Sequence, residues 1–162
     1  MDWPGAVKRV LDRIVETFGG LMLLGVTLLA VIQVILRYAF NYAIIWSEEL
    51  SRLLFVWIVI LGAALGLSYG KHMVIEFFQQ RLPRAVADWT MLLVQLLGLL
   101  FMVVVLVKGI PLLQLTSTDF YVTLPFPVMY AYLAAVVGSA LMIFYWIFEI
   151  VATGRRLIKR SE

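Results

Sequence analysis

Four apolar runs alternate with shorter polar segments along the 162 residues of the chain. They are Phe18–Leu36, Leu53–Tyr69, Trp89–Val107 and Val128–Val151, the last broken only by Glu149. Each approaches the roughly 20 residues that an α-helix needs to cross about 30 Å of hydrocarbon. Leu50–Arg52 extends the short second run, so the predicted spans are about 18–36, 50–69, 89–107 and 128–151. Ahead of the first, Val7, Val10, Leu11, Ile14 and Val15 recur at helical spacing among Lys8, Arg9 and Arg13. That pattern predicts a short amphipathic lead-in at the membrane surface. A basic start before an apolar run also describes a signal peptide. This run is longer than an h-region and no A-x-A-like site follows it, which favours an uncleaved span.

The connections carry patterns of their own. Tyr38, Tyr42, Ile44, Ile45, Trp46 and Leu50 are interface-seeking and predict a short helix on the outer surface between spans one and two. Val74, Phe77, Phe78 and Leu82 recur at helical spacing among Gln79, Gln80 and Arg81, and predict a second surface helix stopped at Pro83. The last connection holds Pro111, Pro125 and Pro127 around Ser117-Thr118-Asp119 and reads as irregular and exposed.

Composition narrows the class. The chain is 64% hydrophobic and 14% charged, against about 45–50% and about 25% in soluble domains. This is an all-α membrane protein, a single four-helix transmembrane domain over 1–162, with no length left for a soluble catalytic domain. The absence of cysteine excludes disulfides and thiolate chemistry, and a single histidine, His72, argues against a histidine-built metal site. Neither a cofactor site nor a catalytic constellation is expected. The net charge of +3 is not a nucleic-acid signal, because the basic residues flank the spans. Lys8, Arg9 and Arg13, then Lys71, Arg81 and Arg84, then Arg155, Arg156, Lys159 and Arg160 fall on one side of a four-span topology. The other side holds only Arg37, Arg52 and Lys108, which predicts cytoplasmic termini.

The spans are notable for what they lack. No Asp, Glu, Lys, Arg or His lies within Phe18–Leu36, Leu53–Tyr69, Trp89–Val107 or Val128–Phe148. Ion-coupled carriers place ionisable groups at such depths, where these cost several kcal/mol unless used. Nor does proline break the spans to free backbone carbonyls for sodium. The bundle reads as a static apolar body.

Chemistry gathers instead at the ends. Glu48 and Glu49 precede Arg52 by four and three residues, so both can pair with it on a helix. Ser47 could cap that helix, Trp46 precedes it, and Arg37 ends span one at the same face. This corner reads either as a solvated helix end or as a cluster tying the surface helix to spans one and two, or docking a partner. Gly62, Gly66 and Gly70 repeat every fourth residue, a surface for close packing either within the chain or against a partner. Lys71 and His72 anchor the foot of span two, and His72 can reach Glu76 four residues on. Gly66-Leu67-Ser68-Tyr69-Gly70 matches the G-x-S-x-G hydrolase pattern, but on an apolar helix end rather than a strand-turn-helix elbow.

Arg37-Tyr-Ala-Phe-Asn41, Trp46-Ser-Glu-Glu-Leu-Ser-Arg52, the glycine-spaced second span and His72-Met-Val-Ile-Glu76 together resemble the small membrane subunit of tripartite ATP-independent periplasmic (TRAP) transporters. The likeness runs in order over most of the chain, to Pro125-Phe-Pro127 and the fourth span. The family often has Asp four residues after its histidine; Glu76 keeps the charge here. The resemblance implies a bacterial inner-membrane subunit that braces a large polytopic transport subunit. It also implies help in docking a periplasmic substrate-binding protein during sodium-coupled uptake of organic acids. Implied partners are those two proteins and membrane lipid. The alternative is a self-sufficient four-span homodimeric exporter. Such proteins carry a carboxylate in the first span, where this chain offers only Gln33.

Overall fold

The computed structural model describes residues 3–69 and 84–161. Four helices account for almost all of them: α1 (Trp3–Ala39), α2 (Trp46–Ser68), α3 (Arg84–Leu115) and α4 (Met129–Ser161). Each contains a segment long and apolar enough to cross a membrane. Among the described residues the only extended pairing is an isolated bridge between Phe120 and Pro127. The chain is an all-α membrane protein.

The helices stand in an open row, α1–α2–α4–α3, rather than in a closed bundle. Among the described residues α2 packs on α1 and α4, and α3 packs on α4 alone. Antiparallel α1 meets α2 through Val15, Gly19, Met22, Val26, Leu29, Gln33 and Leu36, the less exposed positions of its apolar half. Their alternating steps of four and three form a heptad seam. α2 and α4 run parallel. The Trp57 indole donates to the Tyr130 carbonyl at 3.0 Å, Ile60 fills the notch at Gly138, and Ala64 and Leu67 meet Met142 and Tyr145. α3 returns antiparallel to α4, with Gly109 against Val136 and Gly98 under the Trp146 ring. An open row buries little, and its buried cluster among the described residues is that last α2–α4 group, Ala64, Leu67, Met142 and Tyr145.

Several boundaries differ from the expectations above. The predicted surface helix between spans one and two is absent: 40–45 is irregular and α2 begins at Trp46. Asn41 is the reason. It takes the left-handed conformation (φ 52°), which asparagine tolerates better than other non-glycine residues. The N–H groups of Phe40 and Tyr42 then both return to the Leu36 carbonyl, at 3.1 and 3.0 Å. The chain turns too soon for another helical turn. Phe40, Tyr42 and Ile45 stay exposed, as interface-seeking residues in lipid headgroups would.

The amphipathic lead-in is not a separate surface piece. It continues α1 without a break to 37 residues, about 55 Å at 1.5 Å per residue. Val15 is buried on its inner face. α3 also outruns its prediction. It passes through Lys108 and Pro111 to Leu115, so Pro111 lies inside the helix rather than in the connection. The missing N–H of Pro111 leaves the Val107 carbonyl without its helical donor, a defect placed one turn from the end. Exposed Lys108 can extend its ammonium toward the nearby end of the helix while its stem stays among apolar neighbours.

Candidate functional site

Polar chemistry concentrates at the two ends of α2. At its N-terminal end the adjacent acids separate. Glu48 faces outward and pairs with Arg52 at 3.7 Å, both largely exposed, an arrangement worth about 0.3–0.5 kcal/mol. Glu49 does not join Arg52. Its carboxylate accepts the N–H of Val122 at 3.2 Å, the N–H of Thr123 at 2.9 Å and the Thr123 hydroxyl at 2.5 Å. Ser47 is not the expected cap. The N-cap is Ile45, with no side-chain bond, and the buried Ser47 hydroxyl donates backward to the Ile44 carbonyl at 2.6 Å. Arg37 is exposed in the last turn of α1, with no ion pair to Glu48 or Glu49 among the described residues. Trp46 is exposed at the head of α2.

The segment that Glu49 holds is a short hairpin. The Val128 N–H donates to Asp119 at 2.8 Å and the Tyr121 N–H to Phe126 at 3.2 Å. Leu124 is buried at its tip while Val122 is 94% exposed. Tyr130 lies level with Trp57, eleven residues into α2. α2 therefore rises ~16 Å beyond the start of α4, and the hairpin fills that step. Beneath it an apolar groove of about 420 Å³ runs between Met22, Leu53, Leu54, Trp57, Phe126 and Tyr130. Partial burial pushes the Tyr121 hydroxyl above its ordinary pKa, against the opposing charge of Arg52.

The other end of α2 carries a second junction. The Lys8 ammonium donates to the Ser68 carbonyl at 2.5 Å, and the Ser68 hydroxyl donates to Asp12 Oδ1 at 2.6 Å. A cation thus sits on the last carbonyls of a helix, where the macrodipole favours it. Tyr145 of α4, 2% exposed, ends beside Asp12 and Ser68, so three helices converge here. Ser68 of the G-x-S-x-G match is therefore a buried interhelical donor at a helix end. Ser68→Ala is expected to lower stability by about 1 kcal/mol, leaving Asp12 one bond short. A detergent melt of the variant measures it, and assembly and transport should be unchanged.

The glycine stripe is open. A Cβ added at Gly62 or Gly66 would meet nothing within 4 Å. With Glu48, Arg52, Phe55 and Val59, all exposed, these glycines make one uncovered face along α2. Gly70, Lys71, His72 and Glu76 lie outside the described residues. Sequence reasoning singled out Glu49 but assigned it the wrong partner, and it missed Lys8, Asp12, Thr123 and Tyr145. Asp12 had a signal: it lies four residues after Lys8 and three before Val15, on the helix face that carries both.

The architecture defines a polytopic membrane protein with apolar spans, polar contacts at both ends of α2 and an uncovered small-residue face on that helix. The family model for the DctQ component of tripartite ATP-independent periplasmic transporters matches residues 26–156, and the chain belongs to that family. It is a multi-pass protein of the bacterial inner membrane. A putative TRAP transporter small permease protein of Haemophilus influenzae is 25% identical over 145 residues, 90% of this chain and 88% of that one. The sialic acid TRAP transporter permease protein SiaT of Haemophilus influenzae is 30% identical over 89 residues, 55% of this chain but 14% of that protein. The sialic acid TRAP transporter small permease protein SiaQ of Vibrio cholerae is 29% identical over 77 residues, 48% of this chain and 44% of the relative. Apart from the first, the chain thus spans less than half the length of these relatives.

Proposed function

We propose that this chain is the stationary small subunit of an ion-coupled TRAP importer for organic acids. It braces the scaffold of a large membrane subunit that carries the substrate, and it helps seat a periplasmic substrate-binding protein. The observation that carries this reading is the apolar interior: no Asp, Glu, Lys, Arg or His lies within Phe18–Leu36, Leu53–Tyr69, Trp89–Val107 or Val128–Phe148. Carriers need such groups, or broken helices, to couple solute to an ion gradient. The open row adds support. A one-helix-thick layer with an uncovered small-residue face on its central helix suits a body completed by another protein. The names of the relatives, SiaT and SiaQ among them, favour organic acids as the cargo class.

The basic residues orient this body with both termini in the cytoplasm and the Glu49 hairpin toward the periplasm. On this reading Glu48, Arg52, Gly62 and Gly66 line the face available to the large subunit, while Arg37 and Trp46 sit at the outer interface. Gly70, Lys71, His72 and Glu76 belong to the cytoplasmic end. Reconstitution tests the assignment. Liposomes holding the purified chain alone should take up neither radiolabelled sialic acid nor succinate under a sodium gradient. Uptake should require the large subunit and the binding protein. Uptake by the chain alone would refute the scaffold role.

A further inference from the structure

We infer that Glu49 is a positioning residue for the periplasmic hairpin, fixing its tip where the substrate-binding protein meets the membrane subunits. The inference rests on the importer reading above. Three observations carry it. First, Glu49 leaves Arg52 to Glu48 and gives both carboxylate oxygens to the tip, accepting two backbone N–H groups and one hydroxyl. Bonds to an ionised acceptor are roughly twice as strong as neutral ones. Second, little else fixes that tip. The Tyr121 and Val128 N–H bonds close the hairpin lower down, and Leu124 is the one tip side chain that is buried. Third, the clamped hairpin displays apolar groups outward, Val122 at its tip and Phe120 at the base bridge to Pro127. Val122 is 94% and Phe120 61% exposed, beside Ser117, Thr118 and Asp119. On the importer reading the hairpin faces the periplasm, and apolar side chains held outward there suit contact with a protein. A soluble partner arriving from the periplasm would meet them first. Fixing them beforehand removes the ordering cost from that encounter.

The chain has no cysteine, so Val122→Cys gives it a single thiol at the tip, while the backbone N–H that Glu49 accepts is retained. The complex of this chain with its large subunit is labelled there with a photoreactive probe. It is then irradiated with increasing concentrations of the substrate-binding protein. Adding Glu49→Gln should raise the concentration for half-maximal crosslinking at least fivefold. It should also speed hydrogen exchange at the Thr123 amide and leave copurification of the large subunit unchanged. Glu48→Gln, which breaks only the exposed pair with Arg52, should leave hydrogen exchange at the Thr123 amide as it is. The inference fails if Glu49→Gln leaves either half-maximal crosslinking or exchange unaltered, or if it disrupts copurification. It also fails if the tip does not crosslink while a probe at Tyr42→Cys does. If neither position crosslinks to the binding protein, the importer reading itself fails at its docking step.

Discussion

Replacing Gly138 with alanine is expected to destabilise the purified chain, where the same change inside an ordinary helix would stabilise it. Removing a helical glycine normally gains about 0.5–1 kcal/mol. At this position the added Cβ would stand 2.0 Å from Ile60 Cγ2, well inside van der Waals contact. Ile60 is β-branched and has little rotamer freedom on a helix, so its side chain cannot swing clear. The helices must separate instead, and such overpacking costs about 1–3 kcal/mol. The consequence is larger than one contact, because α2 against α4 is the main helix–helix junction between the α1–α2 and α3–α4 pairs among the described residues. Thermal melts in detergent should show the loss, and Ile60→Ala in the Gly138→Ala background should recover most of it. A Gly138→Ala chain at least as stable as the parent would show that the crossing is looser than described.

Gly62→Leu combined with Gly66→Leu is expected to have the opposite signature. Nothing in the chain approaches either glycine, and leucine favours the helix over glycine by about 0.8 kcal/mol per site. The isolated chain should therefore melt no lower than the parent. Assembly should suffer instead, because close approach of helix backbones depends on small residues. Recovery of the large subunit with the affinity-tagged variant should fall at least tenfold. Full recovery would mean that lipid, not protein, covers this stripe.

The four helices were legible because their signal is simple: runs of apolar residues near the length of a bilayer crossing. Their ends were less so. α1 stops at Asn41 because of a backbone conformation, which a hydropathy pattern does not encode. α3 runs through Pro111 because one lost hydrogen bond near a helix end is tolerable. The candidate site was half legible. Spacing found Glu49, but neighbours three or four apart are the only partners that helical spacing can propose. Its actual partners, Val122 and Thr123, lie more than seventy residues away and meet it only because α4 starts three turns below the head of α2. The Lys8–Ser68–Asp12 junction was hidden for the same reason, joining groups about sixty residues apart. The glycine stripe needed the row arrangement before its two roles could be separated.

The most direct measurement is the composition of the native complex. The tagged chain is purified from its own membranes in mild detergent and its masses are determined intact. A fixed buttress predicts one large polytopic companion per copy of this 18.4 kDa subunit. A stable homodimer that retains transport with no second polypeptide would contradict it.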